Sequence, residues 1–451
     1  MRSVPFVTIF LRADTLKRLW MAGGILGVFL LTLVIGNNFA ASDKSVTRQM
    51  LGHDFLAFYT AGSFVREGRA RDLYNLNAVR DFEQATAQAA GLKVGKSFGP
   101  WWNPPFYALV FEPLAGLPYG RALDVWRWIG LAAVVLAMVL LANIVAQSSL
   151  STRWQHWMLV PLLMVISMPF IQAISHGQNT FTSLLVLTVA VVLWRKDRGF
   201  AAGIVAGLLF FKPQLGAVVA TVLVVDLGWS ALAGLTITGA ILLVTMLIAM
   251  PGSLTDWLHQ LPANVHWMQV ENAYLWERHA TLKAFWRLLL QGREAGEPKI
   301  ITTVLTWLSL AAVGGGLVWT IIHGWKNRLG IDAVIRRDRL IAATITAMPL
   351  LMPFYFDYDL LLLAVPVTLY AAERIYAPDR INRNDRWFTA SWVVLFLWLF
   401  VNPAFALHTH VSGTVLLLGA VTALSIRRVN RVDAEALPIL VLRPQPMSMA
   451  A

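Results

Sequence analysis

The residues of this chain whose types and spacing could do chemistry fall into four short groups. His53-Asp54 precedes the aromatic run Phe55, Phe58 and Tyr59. A carboxylate at the mouth of a cavity between helices can take a proton from a hydroxyl, with the adjacent imidazole tuning its position or charge. Asp54 can equally cap the amphipathic stretch that runs on to Arg66. Lys212 is the one basic residue deep inside an apolar stretch, and Pro213 follows it. There a lysine can hold a phosphate as a point charge on a flexible stem, or snorkel to the interface with no ligand. His176-Gly177-Gln178-Asn179 joins an imidazole to two amides, a set suited to sugar hydroxyls and also to a solvated hairpin turn. Asp357-Tyr358-Asp359 pairs two carboxylates, which can bind a divalent cation with a phosphate or serve as a turn or helix cap. The absence of cysteine excludes disulfides, thiolate chemistry and Cys-ligated metals. No Gly-x-x-x-x-Gly-Lys-Ser/Thr loop is present, so any driving force must come from elsewhere, for instance an activated lipid.

The elements that must position these groups are membrane helices. With 57% hydrophobic and 14% charged residues over 451 positions and a mean hydropathy of +0.61, lipid is the solvent of this chain. Its formal charge of +12 sits in short clusters between apolar runs, as cytoplasmic loops require. No basic face with interleaved aromatics lies outside the apolar segments, so nucleic acid is not an expected partner.

Arg2, Arg12, Lys17 and Arg18 ahead of the first apolar run, Trp20 to Ala40, put the N-terminus in the cytoplasm. That run is longer than a signal-peptide core and reads as an uncleaved anchor. Residues 42–120 are then external. Leu123 to Ala146, His156 to Ile174 and Phe181 to Trp194 follow as spans, with basic turns at Arg153 and at Arg195 to Arg198. Phe200 to Asp226 must break at Lys212, because Pro213 removes a backbone donor and disfavours helix before it. Two short helices forming a re-entrant hairpin keep every later basic cluster on one side, and such irregular backbone is tolerated only against protein or a watery cavity. After Trp229 to Met250 comes a second external loop, residues 251–300. Ile301 to Ile322, Leu340 to Phe356, Leu360 to Tyr370, Trp387 to Leu407 and Thr414 to Ile426 complete the set, separated on the inner side by arginine-rich turns. The expectation is one all-α membrane domain, residues 1–451, with about ten full spans plus the hairpin and amphipathic helices in the external loops. Both termini are cytoplasmic in this scheme. His53, Asp54, Asn103, His176, Gln178, Asn179, His266, Arg278, His279, Asp357, Asp359, His408 and His410 all collect at the external face, which marks it as the working face.

These pieces, in this order, resemble the polyprenol-phosphate-mannose-dependent membrane mannosyltransferases of the C-type glycosyltransferase (GT-C) superfamily. The matching segments are His53-Asp54-Phe55 with Tyr59 to Gly62, Gly68 through Tyr74, Asn103 to Phe106 and Pro113-Leu114. They continue with Gly177-Gln178-Asn179, the unit from Ala202-Gly203 to Lys212-Pro213, and Asp357-Tyr358-Asp359. The resemblance implies inverting transfer of a sugar from a polyprenyl phosphate carrier to an acceptor at the external membrane face. It makes Asp54 the general base and Lys212 the residue facing the donor phosphate. His53, Tyr59, Asn103, His176, Gln178, Asn179, Asp357 and Asp359 become substrate-binding candidates, and His279 assists the acceptor or phosphate. Glu277 to Leu282 departs from the Asn-Gln-Ser-Leu type of sequence expected there.

The functional expectation is therefore a hexosyltransferase of a bacterial inner membrane, with mannose as the first sugar to test. Its site is periplasmic, its acceptor a glycolipid or glycan, and it requires no cofactor; a divalent cation is compatible but not indicated. A secondary transporter shares the broken helix and intramembrane charge, although no matching broken segments are evident in the two halves. A lipid-linked glycan ligase or polymerase is the alternative among enzymes.

Overall fold

The computed structural model describes residues 23–24, 27–37, 52–92, 98–148, 154–325, 333–376 and 383–430. Every regular element among them is helical, and the one β contact is an isolated bridge between His279 and Phe356. The basic N-terminal flank, both ends of the first expected span, and Arg153, Lys326, Arg328, Arg380 and Arg431 lie outside the described residues.

Helix α1 (Gly27–Asn37) is followed by α2 (His53–Arg66) and α3 (Leu76–Ala89), the latter opened by Asn75, whose side chain accepts from the backbone N–H groups of Asn77 and Ala78. Then come α4 (Tyr119–Ser148), α5 (Trp154–Val165), α6 (Met168–His176) and α7 (Thr180–Arg195). The expected hairpin is α8 (Gly199–Gly207), a 3-10 turn at Leu208–Phe211, and α9 (Pro213–Leu227). A Cβ on Gly199 would touch Leu227 and Ser230, so the two arms start and finish at the same level with Lys212 at the tip. Next are α10 (Trp229–Ala249), α11 (Ser253–His266), α12 (Leu282–Gln291) and α13 (Ile300–Trp325). The chain ends in α14 (Ala333–Leu351), α15 (Ala364–Tyr376), α16 (Arg383–Trp398), α17 (Asn402–Thr409) and α18 (Gly413–Asn430).

Among the described residues three helices are long and apolar enough to cross a membrane, within α4, α10 and α13, and a fourth is counted if the bent pair α16–α17 is one span. Several of the expected spans are interrupted by helix breaks. Ser167 opens a new helix inside the expected span from His156 to Ile174, taking a hydrogen bond from the Phe170 N–H. The expected span beginning at Leu360 starts as a 3-10 turn, Asp357–Leu363. The pair α16–α17 bends by 77° just before Asn402-Pro403. Only 11% of the α13 window is buried, and Trp307 and Leu308 stand outward, which gives it the lipid-facing surface of a peripheral span.

The packing follows rules for helices in an apolar solvent, where small residues let backbones approach. Gly203 of α8 and Gly234 of α10 face each other's helices so closely that a Cβ on Gly203 would run into the Ala231 carbonyl oxygen, and one on Gly234 into that of Phe200. The two segments expected to be external loops pack together: Asn264 Nδ2 donates to the Tyr74 carbonyl at 2.8 Å, and Arg71 pairs with Asp256 at 2.9 Å. The arginine-rich turns expected on the opposite face also meet. Arg195 pairs with Asp338 at 2.7 Å, Arg337 with Asp226 at 2.9 Å, and Arg339 and Arg428 share Glu373 at 2.8 and 2.6 Å. Arg374 and Arg428 both hold Asp385. Gly203→Val forces α8 and α10 apart; it is expected to cost about 2 kcal/mol or more, read as a lower apparent melting temperature and less monodisperse protein in detergent.

Candidate active site

Asp54 does not cap its helix. The N-cap of α2 is Gly52, in the left-handed region at φ 70°, and no side chain caps that end. Gly52 is fixed from both sides: its N–H donates to the Ser175 carbonyl at 3.0 Å and its carbonyl accepts from the Tyr119 hydroxyl at 3.1 Å. A side chain there would also strike Leu123. Gly177 ends α6 at φ 69°, its carbonyl held by the Trp126 indole N–H, and a Cβ on it would meet Phe55 at 2.8 Å. Two glycines thus let the start of α2 and the end of α6 touch. The Asp54 carboxylate lies 3.2 Å from His53 Nδ1 and 3.5 Å from His176 Nδ1.

The second half of the site is the turn Asp357-Tyr358-Asp359, in which each carboxylate holds a cation. Lys212 Nζ donates to both oxygens of Asp359, at 2.8 and 2.9 Å, and Thr180 Oγ1 adds a bond of 2.9 Å. Arg278 donates through Nη2 and Nε to Asp357 at 2.8 and 3.1 Å, a two-pronged contact that only a guanidinium makes. Gln172 Nε2 and the Tyr358 N–H complete the Asp357 shell, each at 3.0 Å. Lys212 is therefore neither a free phosphate hook nor a snorkelling side chain in this state; its charge is paired, with 12% of the side chain exposed. Tyr358 joins the halves. Lys212 Nζ and Arg278 Cζ each lie 6.0 Å from its ring centre, and the His176 ring meets it edge-on at 6.4 Å.

Asp54, His53, His176, Lys212, Asp357 and Asp359 thus converge, although they come from widely separated parts of the chain. Asn179 lies beside them, its Nδ2 donating to the Tyr107 hydroxyl at 3.1 Å, and the Tyr107 ring stacks on Phe211 next to Lys212. Gln178 accepts from the Asn179 N–H. The Tyr59 hydroxyl donates to the Leu117 carbonyl at 2.9 Å, and Asn103 accepts from the Tyr74 hydroxyl at 2.7 Å through its backbone carbonyl, a bond that does not engage its side-chain amide. His279 is 2% exposed behind the turn, its ring 4.0 Å from that of Phe356. Neither of its nitrogens has a hydrogen-bond partner among the described residues. The sequence reading places Arg278 only among external polar groups and passes over Gln172, Thr180 and Glu83. The signal for Arg278 is a basic residue in an aromatic external segment; the other three carry no local signal.

The electrostatics separate the roles. Burial works against the Asp54 charge, but hydrogen bonds from His176 and His53 hold the carboxyl well below the usual carboxylate range. The Asp54 contact raises His53 in turn. Burial disfavours the charge on Arg278, and Asp357 more than offsets it. Burial, with Arg278 and Lys283 nearby, pushes His279 down to about 3, so this imidazole is neutral at physiological pH. Glu83 of α3 is 1% exposed, and burial pushes it up to about 8, opposed by the Gly99 N–H, which donates to it at 2.9 Å. With its side chains at 26 and 30% exposure, the Asp54–His53 pair is the open side of the cluster. Each carboxylate of the Asp357-Tyr358-Asp359 turn is committed to a cation, and no group of three or more His, Cys, Asp or Glu side chains converges on a metal-sized site among the described residues.

The family described as Glycosyltransferase family 87 matches residues 101–353, more than half of the chain. His176, Lys212 and Arg278 lie inside that segment, Asp54 before it and Asp357 just after it. No curated protein and no solved structure matches.

The buried Glu83 carboxyl makes stability depend on pH. An acid whose folded pKa is raised binds its proton more tightly in the folded state, so stability is greatest below the unfolded value near 4.5 and falls as pH rises towards 8. Glu83→Gln is expected to leave the apparent melting temperature near that of wild type at pH 5 and to raise it above wild type at pH 8.5, measured by thermal scanning in detergent.

Proposed function

The chain belongs to glycosyltransferase family 87, and from that premise we propose that it moves a sugar from a polyprenyl phosphate carrier to a lipid or glycan acceptor at the external face of the bacterial inner membrane. Mannose is the sugar proposed first. Membership displaces the transporter reading. The observation that supports this form of the reaction is the convergence of a partly open carboxylate, Asp54, beside the His176 ring that meets Tyr358 edge-on, with a cation at a hairpin tip, Lys212, at the same Tyr358 ring.

In the proposed reaction an acceptor hydroxyl donates a hydrogen bond to Asp54 and attacks the anomeric carbon from the face opposite the phosphate. As the new C–O bond forms, the old bond to the phosphate oxygen breaks and its electron pair leaves with the phosphate. The hydroxyl proton passes to Asp54, and the anomeric centre is inverted. A strongly acidic carboxyl is a weak base, so Asp54 does most when the attacking oxygen is already losing electron density. His53 and His176, which hold Asp54 ionised, keep it ready to accept. The departing phosphate takes on charge and is met by Lys212, two of whose three N–H donors rest on Asp359, in a partly buried site where a fixed cation is worth more than in water. The reading asks for no cofactor. A divalent cation at Asp357 and Asp359 would have to displace Arg278 and Lys212. His176, Gln178 and Asn179 offer hydrogen bonds to the sugar, His279 stands behind them as a neutral ring, and Tyr59 ties the helix that carries Asp54 to the Leu117 carbonyl.

The test is transfer of radiolabelled mannose from polyprenyl phosphate-mannose into a glycolipid fraction by membranes carrying wild type or Asp54→Asn. Wild type is expected to transfer, and the variant to lose roughly 10²- to 10⁴-fold in rate at equal amounts of folded protein. In wild type the acid limb of the pH profile should fall below the ordinary carboxylate range, since activity is lost only as pH drops through the depressed Asp54 value. Equal transfer by both proteins removes Asp54 from the mechanism. Transfer only from a lipid-linked oligosaccharide makes the chain a ligase or polymerase.

A further inference from the structure

We propose that Arg278 is a second phosphate-binding residue of the donor site, kept in place between turnovers by Asp357 and transferred to the phosphate when the donor is bound. The inference rests on the polyprenyl phosphate reading above and adds a residue and an exchange of partners to it.

Three observations carry it. Arg278 and Lys212 approach Tyr358 at the same 6.0 Å from its ring centre, so the two cations lie within two such radii of each other. A phosphate accepting from both through charge-assisted bonds of about 2.8 Å each spans less than that limit, so its binding would draw the two cations towards it. Secondly, the two ends of the Arg278–Asp357 pair differ in what they lose when it opens. Asp357 keeps Gln172 Nε2 and the Tyr358 N–H as donors. Arg278 uses only Nε and Nη2 on Asp357, and a guanidinium has five N–H donors, so its fork has capacity for further acceptor oxygens. Thirdly, Asp54 acts electrostatically on Arg278, which puts the guanidinium within range of the carboxylate proposed to activate the acceptor.

The chemistry of the carrier says when a second cation matters. The donor phosphate is a diester with one negative charge, whereas the departing polyprenyl phosphate is a monoester that carries nearly two, its second pKa being about 6. The charge gained during bond breaking must be met by donors already in position. One lysine suffices for the diester. The added charge is what Arg278 would meet, so its contribution is larger to the transition state and product than to the bound donor.

The experiment uses the purified full-length protein and farnesyl phosphate as the probe, an inhibitor with the product's headgroup. For Arg278→Gln, kcat is expected to fall by roughly 10²-fold or more, with KM for the donor changed much less and inhibition by farnesyl phosphate weakened about tenfold, which corresponds to about 1.4 kcal/mol. Asp357→Asn frees Arg278 and should bind farnesyl phosphate at least as tightly as wild type. If Arg278 merely holds the turn through Asp357, both variants weaken phosphate inhibition alike, and the proposal is wrong. Should Arg278→Gln not purify folded, Arg278→Lys decides: retained charge without the fork is expected to weaken inhibition while Asp357→Asn retains it, and equal weakening in both variants overturns the idea. Wild type that transfers from polyprenyl phosphate-mannose yet ignores farnesyl phosphate overturns the Arg278 assignment alone. Wild type inert with every polyprenyl phosphate sugar removes the carrier reading beneath it.

Discussion

A charge taken out of water must find an opposite charge or a ring of hydrogen bonds, because the cost of leaving it alone is several kcal/mol. Around the Asp357-Tyr358-Asp359 turn this requirement is met twice, by Arg278 and by Lys212. The two pairs join distant parts of the chain, 147 and 79 residues apart: one cation comes from the tip of the α8–α9 hairpin, the other from the segment between α11 and α12. Gln172 and Thr180 add ligands from the middle of one helix and the beginning of the next. Without Lys212, Asp359 keeps the Thr180 hydroxyl as a donor, and without Arg278, Asp357 keeps Gln172 and the Tyr358 N–H, but neither keeps its counter-charge. The turn therefore organises four separate stretches of backbone, and the position of Tyr358 between its carboxylates is what lets one ring contact both cations.

The helices around this centre are short because they have been cut to reach it. Ser167 restarts the chain so that α6 ends at His176, and Pro213 restarts it so that Lys212 is at a tip and not in a helix wall. Such breaks leave carbonyls and N–H groups that need partners. Most of those at the junction of α2 and α6 are met by backbone and aromatic side chains: Gly52 by Ser175 and Tyr119, Gly177 by Trp126. The small-residue contact of α8 with α10 performs a different task. It fixes the base of the hairpin by close backbone approach, without requiring any polar group in the apolar layer.

Where the code is local, it was legible. Lys212 before Pro213 announces a broken helix by steric necessity, and the break is there. The arginine-rich turns announce a common face, and they are knitted to one another by Asp226, Asp338, Glu373 and Asp385. The convergence of Asp54 and His176 was readable only as two polar groups expected on the same side. Their contact depends on two left-handed glycines, which a sequence does not distinguish from glycines that merely save space. Other helix breaks escape the sequence for a related reason: hydropathy reports how apolar a stretch is, while a 3-10 turn at Asp357 or a 77° bend before Asn402 depends on what packs around it. Asp54 could be read as base or cap from its neighbours alone; the cap reading ends with the observation that Gly52 holds that position. Arg278 had no local motif to give it away, because its partner lies 79 residues on.

Helix α7 has Thr180 on Asp359 at one end and Arg195 on Asp338 at the other. Its 16 residues span about 24 Å at 1.5 Å each. Both ends being anchored by side chains, the helix serves as a ruler that sets the depth of the reactive centre below one face by counting peptide units from the other. Adding or deleting a single residue within it would shift that depth by about 1.5 Å and rotate one anchor by about 100° relative to the other. The number of residues between Thr180 and Arg195 is thus under a constraint that no individual side chain along the helix reveals.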